Sequence, residues 1–310
     1  MRPPPPRYPI TMRRRTFLRT ALATVPAAAA FRLAAQSGAL TVTTLGPKLH
    51  VLAGAGGNIV ILEGPEGLLL IDSGVPEAAA GVAAEAGKIS KSPVARLINT
   101  HWHFDHVGGN ATFGKSGARI LAHENTKGRM STRQTIAFFQ RSFDPVAPEG
   151  LPAETFKDHG QLKHGADALH YRYLPPAHTD GDTTIHFQNA NVYHGGDLLF
   201  FGLYPFIDYS SGGSLAGMAA NAERIQKAID DRTKVVPGHG PVGGRKDVRE
   251  FGDMLSACLE SISRLIREGK TLEQVQAAGP TRRFDAKWGG GMLKPAEWVA
   301  MNYAGMRQAG

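Results

Sequence analysis

Within six residues the chain places three imidazoles and a carboxylate, in the run His101-Trp102-His103-Phe104-Asp105-His106. Nitrogen and oxygen donors this dense can surround a divalent cation. In extended chain alternate side chains share a face, so His101, His103 and Asp105 are expected to point one way. His106 needs a bend, and Gly108-Gly109 just beyond allows one. Trp102 and Phe104 alternate with the donors and are expected to turn into the core. Three more polar residues stand beside glycines. They are His178 in Pro175-Pro176-Ala177-His178-Thr179-Asp180-Gly181-Asp182, Asp197 after Gly195-Gly196, and His239 in Pro237-Gly238-His239-Gly240. Taken singly, each reads as a turn residue. The flanking glycines let backbone and ligand come close.

These donors must be carried by a framework of strands and helices. Short β runs are expected at 40–45, 50–53, 58–63, 68–72 and 94–99. Others follow at 117–122, 169–174, 183–188, 191–194 and 234–236. Helical spacing marks 76–90, 215–229 and the long amphipathic stretch 247–267, with shorter helices at 272–278 and 295–308. Residues 124–165 are polar and weakly periodic, and helix and loop are expected there. The Gly54–Gly57 run reads as a hairpin turn rather than a phosphate cradle. The donors fall at strand ends. Sheets with helices outside them make this an α/β protein.

Composition removes several function classes. The chain has 310 residues, long enough for a substantial core, and a single cysteine, Cys258. One cysteine excludes an intrachain disulfide and any multi-cysteine zinc module. The net charge of +8 suggests nucleic acid until its distribution is read. Residues 1–35 hold seven arginines and no acid, which leaves 28 basic against 27 acidic residues elsewhere. So near-neutral a body gives no footprint for a polyanion, and a small-molecule substrate is expected instead.

The N-terminus reads as an address. A Pro-rich prefix precedes Met12, a plausible start, and Arg14-Arg15-Thr16-Phe17-Leu18 resembles a twin-arginine export signal. An Ala-rich run with small residues follows, with cleavage expected near Ala30 or Ala35. That run is broken by Pro26 and too short to span a bilayer. The expected organisation is therefore a prefix and signal over 1–35 and one domain over 36–310, exported to the periplasm or beyond. The pattern sets no oligomeric state.

Five segments in order, over roughly residues 40–305, resemble the metallo-β-lactamase superfamily of hydrolases. They are Leu70-Ile71-Asp72-Ser73-Gly74, the HxHxDH run, the His178 segment, Gly195-Gly196-Asp197 and Pro237-Gly238-His239-Gly240. The resemblance implies a four-layer αββα sandwich with metals at one edge between its sheets. It implies one zinc on His101, His103 and His178, a second on Asp105, His106 and His239, and Asp197 bridging both. Asp72 would steady the ligand loops from behind. Manganese or iron suits the same donors. The implied chemistry is a water whose pKa drops from about 15.7 toward about 7. The resulting hydroxide attacks the carbonyl of a lactam, lactone, ester or thioester, with Asp105 orienting the nucleophile.

Departures narrow the substrate. One subclass of zinc β-lactamases carries Cys at the position of Asp197 and, three residues on, a Lys for the substrate carboxylate; here that later residue is Phe200. Glyoxalase II, an alternative on this fold, would want a basic C-terminal patch, and Arg282, Arg283, Lys287 and Lys294 are scattered. A persulfide dioxygenase would hold one iron with two His and an Asp, whereas seven donors argue for two metals. A non-catalytic zinc-binding extracytoplasmic protein is the non-enzyme alternative; an inactive relative would have lost ligands. The chain also resembles exported hydrolases of the superfamily with a His-Thr-x-Gly-Asp segment. In these, Tyr204-Pro205-Phe206-Ile207-Asp208 either lines the cleft or packs on the sandwich edge. His123 is expected to cap or pack. His50, His159, His164, His170, His186 and His194 lack ligand spacing.

Overall fold

A computed structural model describes residues 39–308. The prefix and export signal expected over 1–35 lie outside the described residues. The first sheet opens as an antiparallel meander, β1 (Thr41–Gly46), β2 (Leu49–Ala53), β3 (Ile59–Gly64) and β4 (Gly67–Ile71). Helix α1 (Ala79–Ile89) crosses to β5 (Val94–Ile98), parallel to β4. Two short helices, α2 (Phe104–Val107) and α3 (Asn110–Lys115), lead to β6 (Arg119–His123), and α4 (Glu124–Met130) follows. A separate hairpin, β7 (Gln134–Ile136) and β8 (Arg141–Phe143), precedes β9 (Glu154–Phe156), which pairs with β6 at the sheet edge. The second sheet runs β10 (His159–His164), β11 (Asp167–Tyr173), β12 (Thr183–Phe187) and β13 (Val192–Phe200). Helix α5 (Leu215–Ala228) returns the chain to β14 (Lys234–His239), parallel to β13. Helices α6 (Arg245–Arg267), α7 (Leu272–Ala278), α8 (Asp285–Trp288) and α9 (Pro295–Gln308) close the described chain.

Strand alternation decides the layering. In β3 and β4, Val60, Leu62, Leu69 and Ile71 face Leu169, Ile185, Phe187, Val192 and Val236 of the second sheet. Their neighbours Ile59, Ile61, Leu68 and Leu70 pack on Val82 and Ala86 of α1. A strand apolar on both faces must lie between two layers. On the far side, Tyr193 and Val235 of the second sheet meet Met218 and Ile225 of α5 and Phe251 and Leu255 of α6. The result is the four-layer αββα sandwich. Cys258 lies buried in α6 as a core thiol. No helix among the described residues is long and apolar enough to cross a membrane.

Two expectations need correction. Residues 124–165 hold β7, β8, β9 and all of β10, not helix and loop alone. Those strands are short and largely exposed, so no apolar alternation betrays them. The strand read at 191–194 also continues to Phe200, so Asp197 sits within β13 rather than beyond it. Register shifts at Gly196 break the pairing with β14 and let the backbone twist there.

Candidate metal centre

The donors gather where parallel strands end. Asp72 follows β4, the 101–106 run follows β5, and His239 ends β14. Open sheets bind ligands outside such carboxyl ends. The chain stays extended only to His103, which caps α2 with φ −62° and ψ 147°. Asp105 and His106 therefore lie on a helical turn, and that turn supplies the bend His106 needed. Trp102 is buried, as alternation predicts, donating from Nε1 to Ser211 Oγ at 3.1 Å, while half-buried Phe104 packs on the core beside α1 and also borders the cleft.

All seven expected residues converge. Donor atoms of His101, His103, His178 and Asp197 lie within 4.8 Å of one another, as do those of Asp105, His106 and His239. His178 Nε2 stands 3.2 Å from His101 Nε2 and 2.8 Å from His103 Nδ1. Asp197 joins the groups: its Oδ1 is 3.0 Å from His106 Nε2, and its Oδ2 is 3.4 Å from both His178 Nε2 and His239 Nε2. Asp105 Oδ2 is 3.3 Å from His239 Nε2.

Outer hydrogen bonds fix which nitrogen faces inward. His106 Nδ1 donates to Asp72 Oδ2 at 2.8 Å, and His178 Nδ1 donates to the Phe206 carbonyl at 2.8 Å. His103 Nε2 donates to Asp208 Oδ2 at 3.1 Å. The Thr100 hydroxyl gives its proton to Asp72 Oδ2 at 2.7 Å, so it accepts from His101 Nδ1 at 3.0 Å. His101, His103 and His178 then each turn an unprotonated nitrogen toward the others. Lone pairs about 3 Å apart repel unless a cation lies between them. Asp197 Oδ1 is buried and accepts no hydrogen bond among the described residues. A Cβ on Gly238 would fall 1.9 Å from that oxygen, and one on Gly57 would fall 2.2 Å from the His106 ring. The donor set thus fits divalent cations.

Asp72 anchors this arrangement. It is fully buried, also accepts from the Thr100 N–H at 2.8 Å, and holds φ at 62°. Asp tolerates that left-handed conformation better than most residues. Asp208 escaped sequence reading as a partner of His103. Its side chain also caps the turn at Tyr209–Ser211, and the Ser210-Ser211 pair after it was the available signal. His123 caps α4, accepting from Asn125 N, as expected of a structural residue.

The field within the cluster divides the imidazoles. Burial pushes His178 down to about 4 and His101 well below its ordinary value. Burial also opposes charge on His106 and His239, but Asp197 and Asp105 outweigh it, raising His106 and holding His239 at about 9. Burial likewise opposes ionisation of Asp105, yet His106 and His239 keep it at about 2. Without metal at pH 7, His106 and His239 therefore carry protons that ligation must expel. Metal loading is expected to release about two protons per chain. Calorimetry in buffers of different ionisation enthalpy reads that number, and affinity should fall as pH drops through about 9, where His239 gains its proton.

A cleft of about 230 Å³ opens beside the cluster. His103, Asp105, Asp197 and His239 form one side. Tyr204 and Phe206 form part of the other, so the 204–208 stretch does line it. Trp298 of α9 supports that wall, stacking on Tyr204 at 4.7 Å and donating to the Pro205 carbonyl at 2.8 Å.

Comparison with known proteins agrees with this geometry. The family description Metallo-beta-lactamase superfamily matches residues 53–239, more than half the chain. The 2,4-dinitroanisole O-demethylase subunit alpha of Nocardioides sp. (strain JS1661) is 30% identical over 46% of this chain and 40% of its own. The type 2 metallo-beta-lactamase of Bacteroides fragilis is 22% identical over 55% of this chain and 63% of its own. The chain thus spans less than two thirds of the length of these relatives. A solved metallo-beta-lactamase from Pontibacter korlensis superposes with a TM-score of 0.58 at 22% identity, covering 70% of this chain and 99% of that one. Fold, clustered donors and family match together place the chain in the metallo-β-lactamase superfamily.

Proposed function

We propose that the protein is a dizinc hydrolase acting on the carbonyl of a small molecule, as a lactam, lactone, ester or thioester. One observation carries the reading: seven donors form two triads around a shared carboxylate, with inward nitrogens set by partners behind them. His101 Nε2, His103 Nδ1 and His178 Nε2 would hold one cation. Asp105, His106 Nε2 and His239 Nε2 would hold the other, and Asp197 would bridge. Manganese and iron remain admissible to such donors. Bound divalent ions supply Lewis acidity and a water acidified toward neutral pH.

The chain's own residues do the rest. Asp105 faces the cleft with its carboxylate ionised, ready to accept a hydrogen bond from the attacking water and orient it. Water's oxygen bonds the acyl carbon and the bond to the leaving group breaks. Water's protons go to the leaving group and the new acid, which ionises at neutral pH. Thr100, Asp72, Asp208 and the Phe206 carbonyl keep the imidazoles aimed while this happens. Export by the twin-arginine-type signal is part of the proposal, and it rests on residues 12–35.

The test is a panel of nitrocefin, homoserine lactones, lactoylglutathione and nitrophenyl esters. The zinc-loaded protein should hydrolyse at least one of these. Activity should vanish on chelation and return with zinc. A rate indifferent to chelation would overturn the reading.

A further inference from the structure

We infer that the cleft selects an uncharged substrate with a hydrophobic acyl chain or ring and rejects one bearing a carboxylate at its far end. The inference rests on the hydrolase reading above and names its substrate class. Beyond the donors, much of the lining is carbon: Ile136, Phe139, Phe200, Leu203, Phe206 and Met292. Three separate parts of the chain supply them, the β7–β8 hairpin, the end of β13 with its following segment, and the loop before α9. No lysine or arginine lines the cleft among the described residues.

Their packing makes the apolar character structural. The Phe206 ring lies 4.8 Å from that of Phe139 and 5.8 Å from His103. Phe200 stacks on His239 at 5.1 Å. Tyr204 spends its hydroxyl on Asp285 Oδ1 at 2.8 Å, so it offers the cleft a ring and not a donor. Phe206 also serves both sides, since its carbonyl orients His178. A chain of methylenes gains from such walls by up to about fourfold in affinity per carbon buried. A terminal carboxylate packed on that wall would lose water and find no lysine or arginine among the residues lining it.

The experiment compares 4-nitrophenyl acetate, butyrate and hexanoate with the 4-nitrophenyl monoester of adipic acid, on zinc-loaded protein. The value of kcat/KM should climb with each methylene, and the adipate ester should trail the hexanoate by roughly fiftyfold or more. Met292→Lys keeps side-chain length at a half-buried position and adds a cation. It should narrow that gap roughly tenfold. Phe139→Ala, at the half-buried hairpin tip, should flatten the chain-length dependence. Calorimetry with hexanamide and adipamate, on zinc-loaded and chelator-treated protein, reads the same preference without turnover. If no ester is cleaved, the hydrolase reading suffers and binding decides this inference. Tighter hexanamide binding supports it. Equal or reversed preference, in turnover or in binding where turnover is absent, overturns it.

Discussion

Asp197→Ala is expected to lower hydrolysis by at least about 10³-fold, about 4 kcal/mol of transition-state stabilisation. The reason lies in its position. Asp197 is buried, and its oxygens approach His106, His178 and His239 within 3.0–3.4 Å. Removing it takes away a ligand from both proposed cations and the charge that offsets them. The αββα core does not depend on it, because apolar contacts on both faces of each sheet hold the layers. Far-UV circular dichroism should therefore match the parent while metal content and activity both drop. Full activity in the variant would place the chemistry elsewhere.

Asp72 should show the largest effect on stability. Asp72→Ala strands the Thr100 N–H and hydroxyl and the His106 Nδ1–H, all buried. Breaking a buried charged network of this kind costs about 3–5 kcal/mol. Alanine also tolerates the φ of 62° less well, adding about 1–2 kcal/mol. Asp72→Asn separates folding from ligation. Asn accepts the backbone angle and can still receive the Thr100 N–H at Oδ1. Its amide then faces His106 Nδ1, which must accept, and the ring proton moves to Nε2 on the metal side. The Asn variant should fold with modest loss yet bind metal about 10–100-fold more weakly. Denaturant unfolding of the chelated proteins and competitive metal titration measure the two effects. Equal metal affinity in Asp72→Asn would refute this role for Asp72.

How much of this was legible in the sequence follows from which signals are local. The 101–106 run is contiguous, so its donors could be named without coordinates. The apolar spacing of α6 shows because a long helix repeats its stripe many times. The strands β7 to β10 were obscure because they are short and exposed, leaving no period to read. Phe104 packs on the core as expected, but its place at the cleft border was not legible, because helical dihedrals begin after His103. Asp208 was missed because its pairing with His103 spans 105 residues and exists only after folding. The Phe206 carbonyl that orients His178 is backbone, and no residue type encodes it.

The central claim is that these side chains clasp a pair of divalent cations. Elemental mass spectrometry of the purified, desalted protein tests it most directly. The account predicts close to two equivalents of zinc per chain in the parent. A single firmly held iron, or protein that keeps no divalent metal after zinc loading, would contradict it.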